Sequence, residues 1–309
     1  MKVLIVANNK PGQFSPFVIE QVSALEKLGV EFDFFGIDRK GVSGYLSKLI
    51  PLKKKIHDFQ PDLIHAHYGL SGFLANLQRS IPVVTTFHGS DIHSRGINIK
   101  ISKTAAHFSA HNIFVSKWLQ NLSGFKGGEY SVIPCGVDTD TFHPMNRDEA
   151  REQLGWRIEH KYVLFASTFD NEVKNSPLAK AAVSLLPQVE LIELRGYKRD
   201  QVNMVMNAAN CLLMTSHREG SPVVVKEAMS CGIPIVSVNV GDVAGVMAET
   251  KGCYITTYDA NDIAEKLQQA ISFIGRTNGP QRIVDLGLSN KIIAHRILEI
   301  YKKVIELSK

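Results

Sequence analysis

The chain has 309 residues, enough for two compact domains rather than three. Its 44% hydrophobic and 21% charged residues describe a soluble globular protein. A formal charge of +5 favours an anionic ligand or an acidic membrane surface but is too mild for a nucleic-acid binder, so no nucleic-acid partner is expected.

Met1-Lys2-Val3-Leu4-Ile5-Val6-Ala7 has too short an apolar run for a signal peptide and reads as a first buried parallel strand. No segment approaches the length of a transmembrane helix. Strands are predicted near 3–7, 31–36, 62–66, 82–86, 111–115 and 130–133, and helices near 15–28, 45–58, 69–79, 101–108 and 116–122. Short apolar strands joined by helices argue for a parallel sheet covered on both faces. Pro11-Gly12-Gln13-Phe14 supplies one glycine at the first strand–helix turn, short of a dinucleotide fingerprint. Gly12 either lets a phosphate approach the backbone or serves the turn alone.

The segment 45–58 sets Lys48, Lys53, Lys54 and Lys55 beside Leu46, Leu49, Ile50, Leu52 and Ile56, and Pro51 allows two helical pieces. It is either a solvated face of a sheet-packing helix or a surface for an anionic membrane. Histidines end two strands: His65 and His67 in one, His88 in the next, followed by Asp91 and His93. No metal-binding spacing accompanies them, and no metal is expected. His88 is the leading ligand contact and His67 the next. Asp91 either orients a histidine or sugar hydroxyl, or caps a turn. Cys135, Cys211, Cys231 and Cys253 have no close pair; the first three are expected to be buried free thiols of a reducing compartment.

After 130–133 the chain turns through Pro134-Cys135-Gly136-Val137-Asp138 toward a polar helix at 147–154. The first domain is expected over 1–145, a linker over 146–158, a second α/β domain over 159–288 and a last helix over 289–309 that packs back toward the first. In the second domain, Lys174 lies on the loop beyond the strand that begins at Tyr162 and could reach a phosphate or simply be solvated. Cys211-Leu212-Leu213-Met214 reads as a buried strand delivering the loop Ser216–Ser221. Ser221 is expected to cap the next helix with Pro222 at its first position, and Gly232 and Pro234 close it. A helix N-terminus beyond a strand end suits phosphate. Glu219 and Glu227, one before that helix and one two turns into it, suit hydroxyls. Together they point to a nucleotide sugar, unless both are ordinary surface acids.

The segments Pro11-Gly12-Gln13-Phe14, His65-Ala66-His67-Tyr68-Gly69, Thr86-Phe87-His88-Gly89-Ser90-Asp91, Val132-Ile133-Pro134-Cys135-Gly136-Val137-Asp138 and the Glu219/Glu227 pair resemble the family 4 glycosyltransferases. The resemblance implies the GT-B fold: α/β, two Rossmann-like domains with parallel sheets facing across a cleft. It implies a retaining, metal-independent transferase with no cofactor. A hexosyl or N-acetylhexosaminyl group would move from a nucleoside-diphosphate sugar, UDP favoured, to a saccharide or lipid-linked acceptor in polysaccharide biosynthesis. Catalytic roles would fall on His88, Glu219 and Lys174. Donor binding would fall on Gly12, Gln13, Lys174, Glu219, Gly220, Ser221, Pro222, Val223 and Glu227, with His67, Asp91 and Arg218 as further sugar or acceptor contacts. A monomer or homodimer in the cytoplasm, associated peripherally with the inner membrane face, fits the likeness. Thr168 stands where many relatives carry a phosphate-binding arginine. A nucleotide-sugar epimerase and a non-catalytic nucleotide-sugar-binding subunit are the alternatives.

Overall fold

The computed structural model describes residues 1–9, 13–93 and 96–308, so the Gly12 expectation lies outside the described residues. The chain forms two compact units, residues 1–136 with 290–309, and residues 137–289. The division falls before the 145 expected for the end of the first domain, because Val137 and Phe142 enter the core of the second unit.

In the first unit the order is β1 (Lys2–Asn8), α1 (Pro16–Glu26), β2 (Glu31–Ile37), α2 (Gly41–Leu46), α3 (Leu49–Phe59), β3 (Leu63–His67) and α4 (Gly69–Asn76). It continues through β4 (Val83–Phe87), α5 (Ile97–Phe108), β5 (His111–Phe114), α6 (Lys117–Ser123) and β6 (Tyr130–Val132). The six strands pair in parallel in the order β2-β1-β3-β4-β5-β6. Successive residues of β1 face opposite sides. Val3 and Ile5 pack with Val18, Val22 and Leu25 of α1, whereas Leu4 and Val6 pack with Leu52 and Ile56 of α3 and Leu74 of α4. An uninterrupted apolar strand is what burial on both faces requires. The expected 45–58 helix is divided at Ser47-Lys48, and Pro51 sits in the first turn of α3, where a missing N–H costs nothing.

The second unit runs α7 (Arg147–Leu154), β7 (Lys161–Phe165), α8 (Ser176–Ser184), β8 (Val189–Glu193), α9 (Arg199–Ala208) and β9 (Cys211–Met214). There follow α10 (Val223–Ser230), β10 (Ile235–Val238), α11 (Val243–Met247), β11 (Cys253–Thr256), α12 (Ala260–Ile271) and α13 (Gly279–Asp285). Its parallel sheet has the order β11-β10-β9-β7-β8. The short helices α11 and α13 were not anticipated. The last helix, α14 (Asn290–Leu307), belongs to the first unit, where Ile293, Ile297 and Tyr301 enter the core beside α1. Among the described residues no helix is long and apolar enough to cross a membrane.

Candidate active site

In the second unit the site residues gather where β9 ends. Thr215 Oγ1 hydrogen-bonds the carbonyls of Lys174 at 2.9 Å and Asn175 at 3.0 Å, and His217 N–H donates to Val173 O at 2.9 Å. These bonds tie the single 3₁₀ turn Glu172–Lys174 to the loop before α10. Lys174 Nζ consequently reaches Glu219 Oε1 at 2.6 Å, with both side chains largely buried. The chain thus brings together the cation and the acid expected at the diphosphate and the sugar. Arg218 is exposed on the same loop, and Thr168 lies on the loop after β7.

Ser221 does not cap α10. Pro222 holds the cap position, and the Ser221 hydroxyl donates instead to Asp242 Oδ2 at 2.5 Å. The reason is Lys226, wholly buried one turn into α10, whose ammonium hydrogen-bonds Ser221 Oγ and lies 3.2 Å from Asp242 Oδ2. A buried ammonium must be paired, so the serine is drawn away from the helix end. Gly241 completes this support. Its φ is +61°, and a Cβ there would come within 2.8 Å of Gly220 O, so the 240–242 turn lies directly against the loop carrying Glu219 and Gly220. Glu227 is also buried, and the guanidinium of Arg199, the first residue of α9, pairs with its Oε1. Arg199 also lies over the Phe142 ring, 4.4 Å from its centroid. Arg199, Lys226 and Asp242 escaped the sequence reading. A lysine set among Val223, Val224, Val225 and Ala228 was the one available signal that a buried counter-charge had to exist.

In the first unit, β3 and β4 end beside one another with His67 opposite Thr86. His67 Nδ1 lies 3.0 Å from His88 Nε2, and His88 also packs against Phe17 and Tyr68, each 4.7 Å between ring centroids. Asp91 is held by backbone donors: Gly89 N–H at 2.8 Å, Gly69 N–H at 3.1 Å and His88 N–H at 3.4 Å. Burial raises its carboxyl to about 6 against the opposing pull of those N–H groups. Its turn-capping role is therefore realised. Burial lowers His67 to about 3 and holds His65 and His88 well below the usual histidine range. Cys135 is only partly buried, unlike Cys211 and Cys231, and its Sγ lies 3.9 Å from His88 Nδ1.

Beyond the ends of β1, β3 and β4 lies a cavity of about 600 Å³. Asn8, Tyr45, Tyr68, Asp91 and Asn98 are among its walls, and Gln13 and Phe14 line it as well. Gln13, expected at the donor, borders this cavity of the first unit.

Two parallel Rossmann-like units make a GT-B-like fold. The family model Glycosyltransferase Family 4 matches residues 2–141, and Glycosyl transferases group 1 matches residues 157–272. A Bacillus subtilis protein named as a teichuronic acid biosynthesis glycosyltransferase is 28% identical over 69% of this chain, which spans 62% of that protein. Sucrose-phosphate synthase from Thermosynechococcus elongatus superposes with a TM-score of 0.86 at 18% identity, covering 99% of each chain. HepE of Anabaena in complex with UDP-glucose superposes with a TM-score of 0.77 at 17% identity, over 98% of this chain and 100% of HepE. Both halves of the chain thus match glycosyltransferase family models, family 4 in the first and group 1 in the second.

Proposed function

We propose that this chain is a retaining glycosyltransferase that takes a hexosyl or N-acetylhexosaminyl group from a nucleoside-diphosphate sugar. The observation that carries the reading is the Lys174–Glu219 pair, 2.6 Å apart, which joins the Glu172–Lys174 turn to the loop entering α10. A lysine near a helix N-terminus opposes the helix dipole and needs an anion. Glu219 supplies it here; a diphosphate on the N–H groups of Gly220, Ser221 and Val223 would take over that role and release Glu219 to sugar hydroxyls. Glu227 would hold the ribose hydroxyls. UDP is favoured as the nucleotide because the similarly folded HepE is seen with UDP-glucose.

His88 is assigned a hydrogen bond to the donor sugar, with His67 behind it. The cavity at Tyr45, Tyr68 and Asn98 is assigned to a saccharide or lipid-linked acceptor, since aromatic walls with scattered amide groups suit a sugar ring. Retention would follow from front-face attack, with the leaving phosphate accepting the acceptor's proton; a trapped glycosyl–enzyme adduct would overturn that route. Peripheral association with the inner membrane face is supported by Ile50, 81% exposed, and Leu46, 44% exposed, beside exposed Lys53 and Lys54.

The test is calorimetric titration with UDP, UDP-glucose, GDP and ADP, using Glu227→Gln as control. UDP should bind most tightly and lose affinity about tenfold or more in the variant, as loss of a charged hydrogen bond requires. Absence of binding by every nucleoside diphosphate and its sugars would refute the assignment.

A further inference from the structure

Three imidazoles form a column inside the first unit. His65 occupies both ring nitrogens, with Nδ1 2.6 Å from the Tyr301 hydroxyl of α14 and Nε2 2.7 Å from Thr86 Oγ1. His67 stacks on it at 4.4 Å between centroids and meets His88 through Nδ1. Its other nitrogen, Nε2, is buried and has no hydrogen-bond partner among the described residues.

A neutral imidazole has one N–H and one lone pair. The His67–His88 bond can therefore be made in two ways. If His88 Nε2–H donates, the proton of His67 sits on Nε2, as a buried N–H with nothing to receive it. If His67 Nδ1–H donates, the atom left over is a bare lone pair. An orphaned buried donor is the rarer and costlier of the two. His88 then carries its own proton on Nδ1, which faces Cys135 Sγ at 3.9 Å, a weak acceptor that a hydroxyl displaces readily. Burial keeps both rings neutral, which this account requires.

We infer that His67 is a positioning residue: its Nδ1–H donates to His88 Nε2 and fixes His88 as the Nδ1–H tautomer, able to meet a ligand only as a hydrogen-bond donor. His88 so held does not serve as a proton acceptor. The link to turnover rests on the proposed contact of His88 with the donor sugar; the tautomer does not.

The two parts are tested separately. Long-range ¹H–¹⁵N correlation spectra of the full chain, with His88→Gln and His67→Asn to assign signals, should show His88 Nε2 and His67 Nε2 unprotonated and both Nδ1 atoms protonated. An Nε2-protonated or averaging His88 overturns the inference without touching the glycosyltransferase reading. For turnover, His67→Leu removes the donor, whereas His67→Asn retains an amide N–H near the former Nδ1. The leucine variant should lose about tenfold in kcat with little change in donor KM, less than the ~10²–10³ for deleting a transition-state donor outright, because His88 still samples the right tautomer. The asparagine variant should recover most of the loss. Equal losses in both variants overturn the positioning role, and an active leucine variant with unchanged kcat does the same. A wild-type chain with the expected tautomers but no transfer from any nucleotide sugar would count against the function, not against the tautomer.

Discussion

Asp242→Ala should destabilise the second unit far more than a surface change, because it strips the counter-charge from an ammonium that no water reaches. Lys226 is 0% exposed, whereas the Asp242 side chain is 16% exposed. Breaking a buried pair from one side costs about 3–5 kcal/mol. Ser221 Oγ remains as a partner for Lys226, which places the loss near the lower end, about 3 kcal/mol. Lys226→Met leaves a carboxylate that reaches solvent and still accepts from Ser221, so its cost should be about 1–2 kcal/mol. The double variant Lys226→Met/Asp242→Ala removes both charges and should cost about 1–2 kcal/mol, well short of the sum of the single losses. The assay is thermal unfolding of the full chain and its three variants. For a unit of this size ~1 kcal/mol shifts the midpoint by about 2–4 °C, so Asp242→Ala should lose about 6–12 °C. Additive losses, with coupling below about 0.5 kcal/mol, would refute the reasoning.

Lys174→Met should weaken UDP about 10–100-fold while leaving uridine unchanged, which parallel titrations would check. Gly241→Ala should cost about 1–2 kcal/mol for a left-handed backbone and also weaken UDP, because its methyl group displaces the Gly220 carbonyl; stability without any change in affinity would separate the loop from the ligand. Acid should destabilise the first unit. His65, His67 and His88 are held neutral when folded, so their contribution is present above 6.5 and lost as pH falls, for His67 toward about 3. Asp91 opposes them: its folded value of about 6 exceeds 3.8, so its contribution is present below 3.8 and lost as pH rises to about 6. Unfolding between those limits should take up protons on balance, and His67→Asn should remove about one of them, measured from the pH dependence of the midpoint. A midpoint independent of pH would contradict this balance.

Much of the architecture could be read along the chain because its signals are local. The unbroken Val3-Leu4-Ile5-Val6 run needs only its own composition to announce a strand buried on both faces, and Pro51 marks the break between two helices. The Lys174 and Glu219 loops were legible through their positions after strands. What remained hidden depends on partners distant in sequence. Ser221 is a good cap by local rules and fails because Lys226 and Asp242 claim its hydroxyl. The His67–His88 bond needs the register of β3 against β4, which no periodicity along one strand supplies.

The first unit is interrupted in sequence: residues 1–136 share one core with 290–309, while 137–289 is a single contiguous insert. Vectorial synthesis therefore completes the insert before its host. On the ribosome, residues 137–289 have every strand and helix in hand while the cluster around Val3 and Ile5 still waits for Ile293, Ile297 and Tyr301. A premature stop after Ser289 would therefore leave the later-made half intact and the earlier-made half with an open hydrophobic seam.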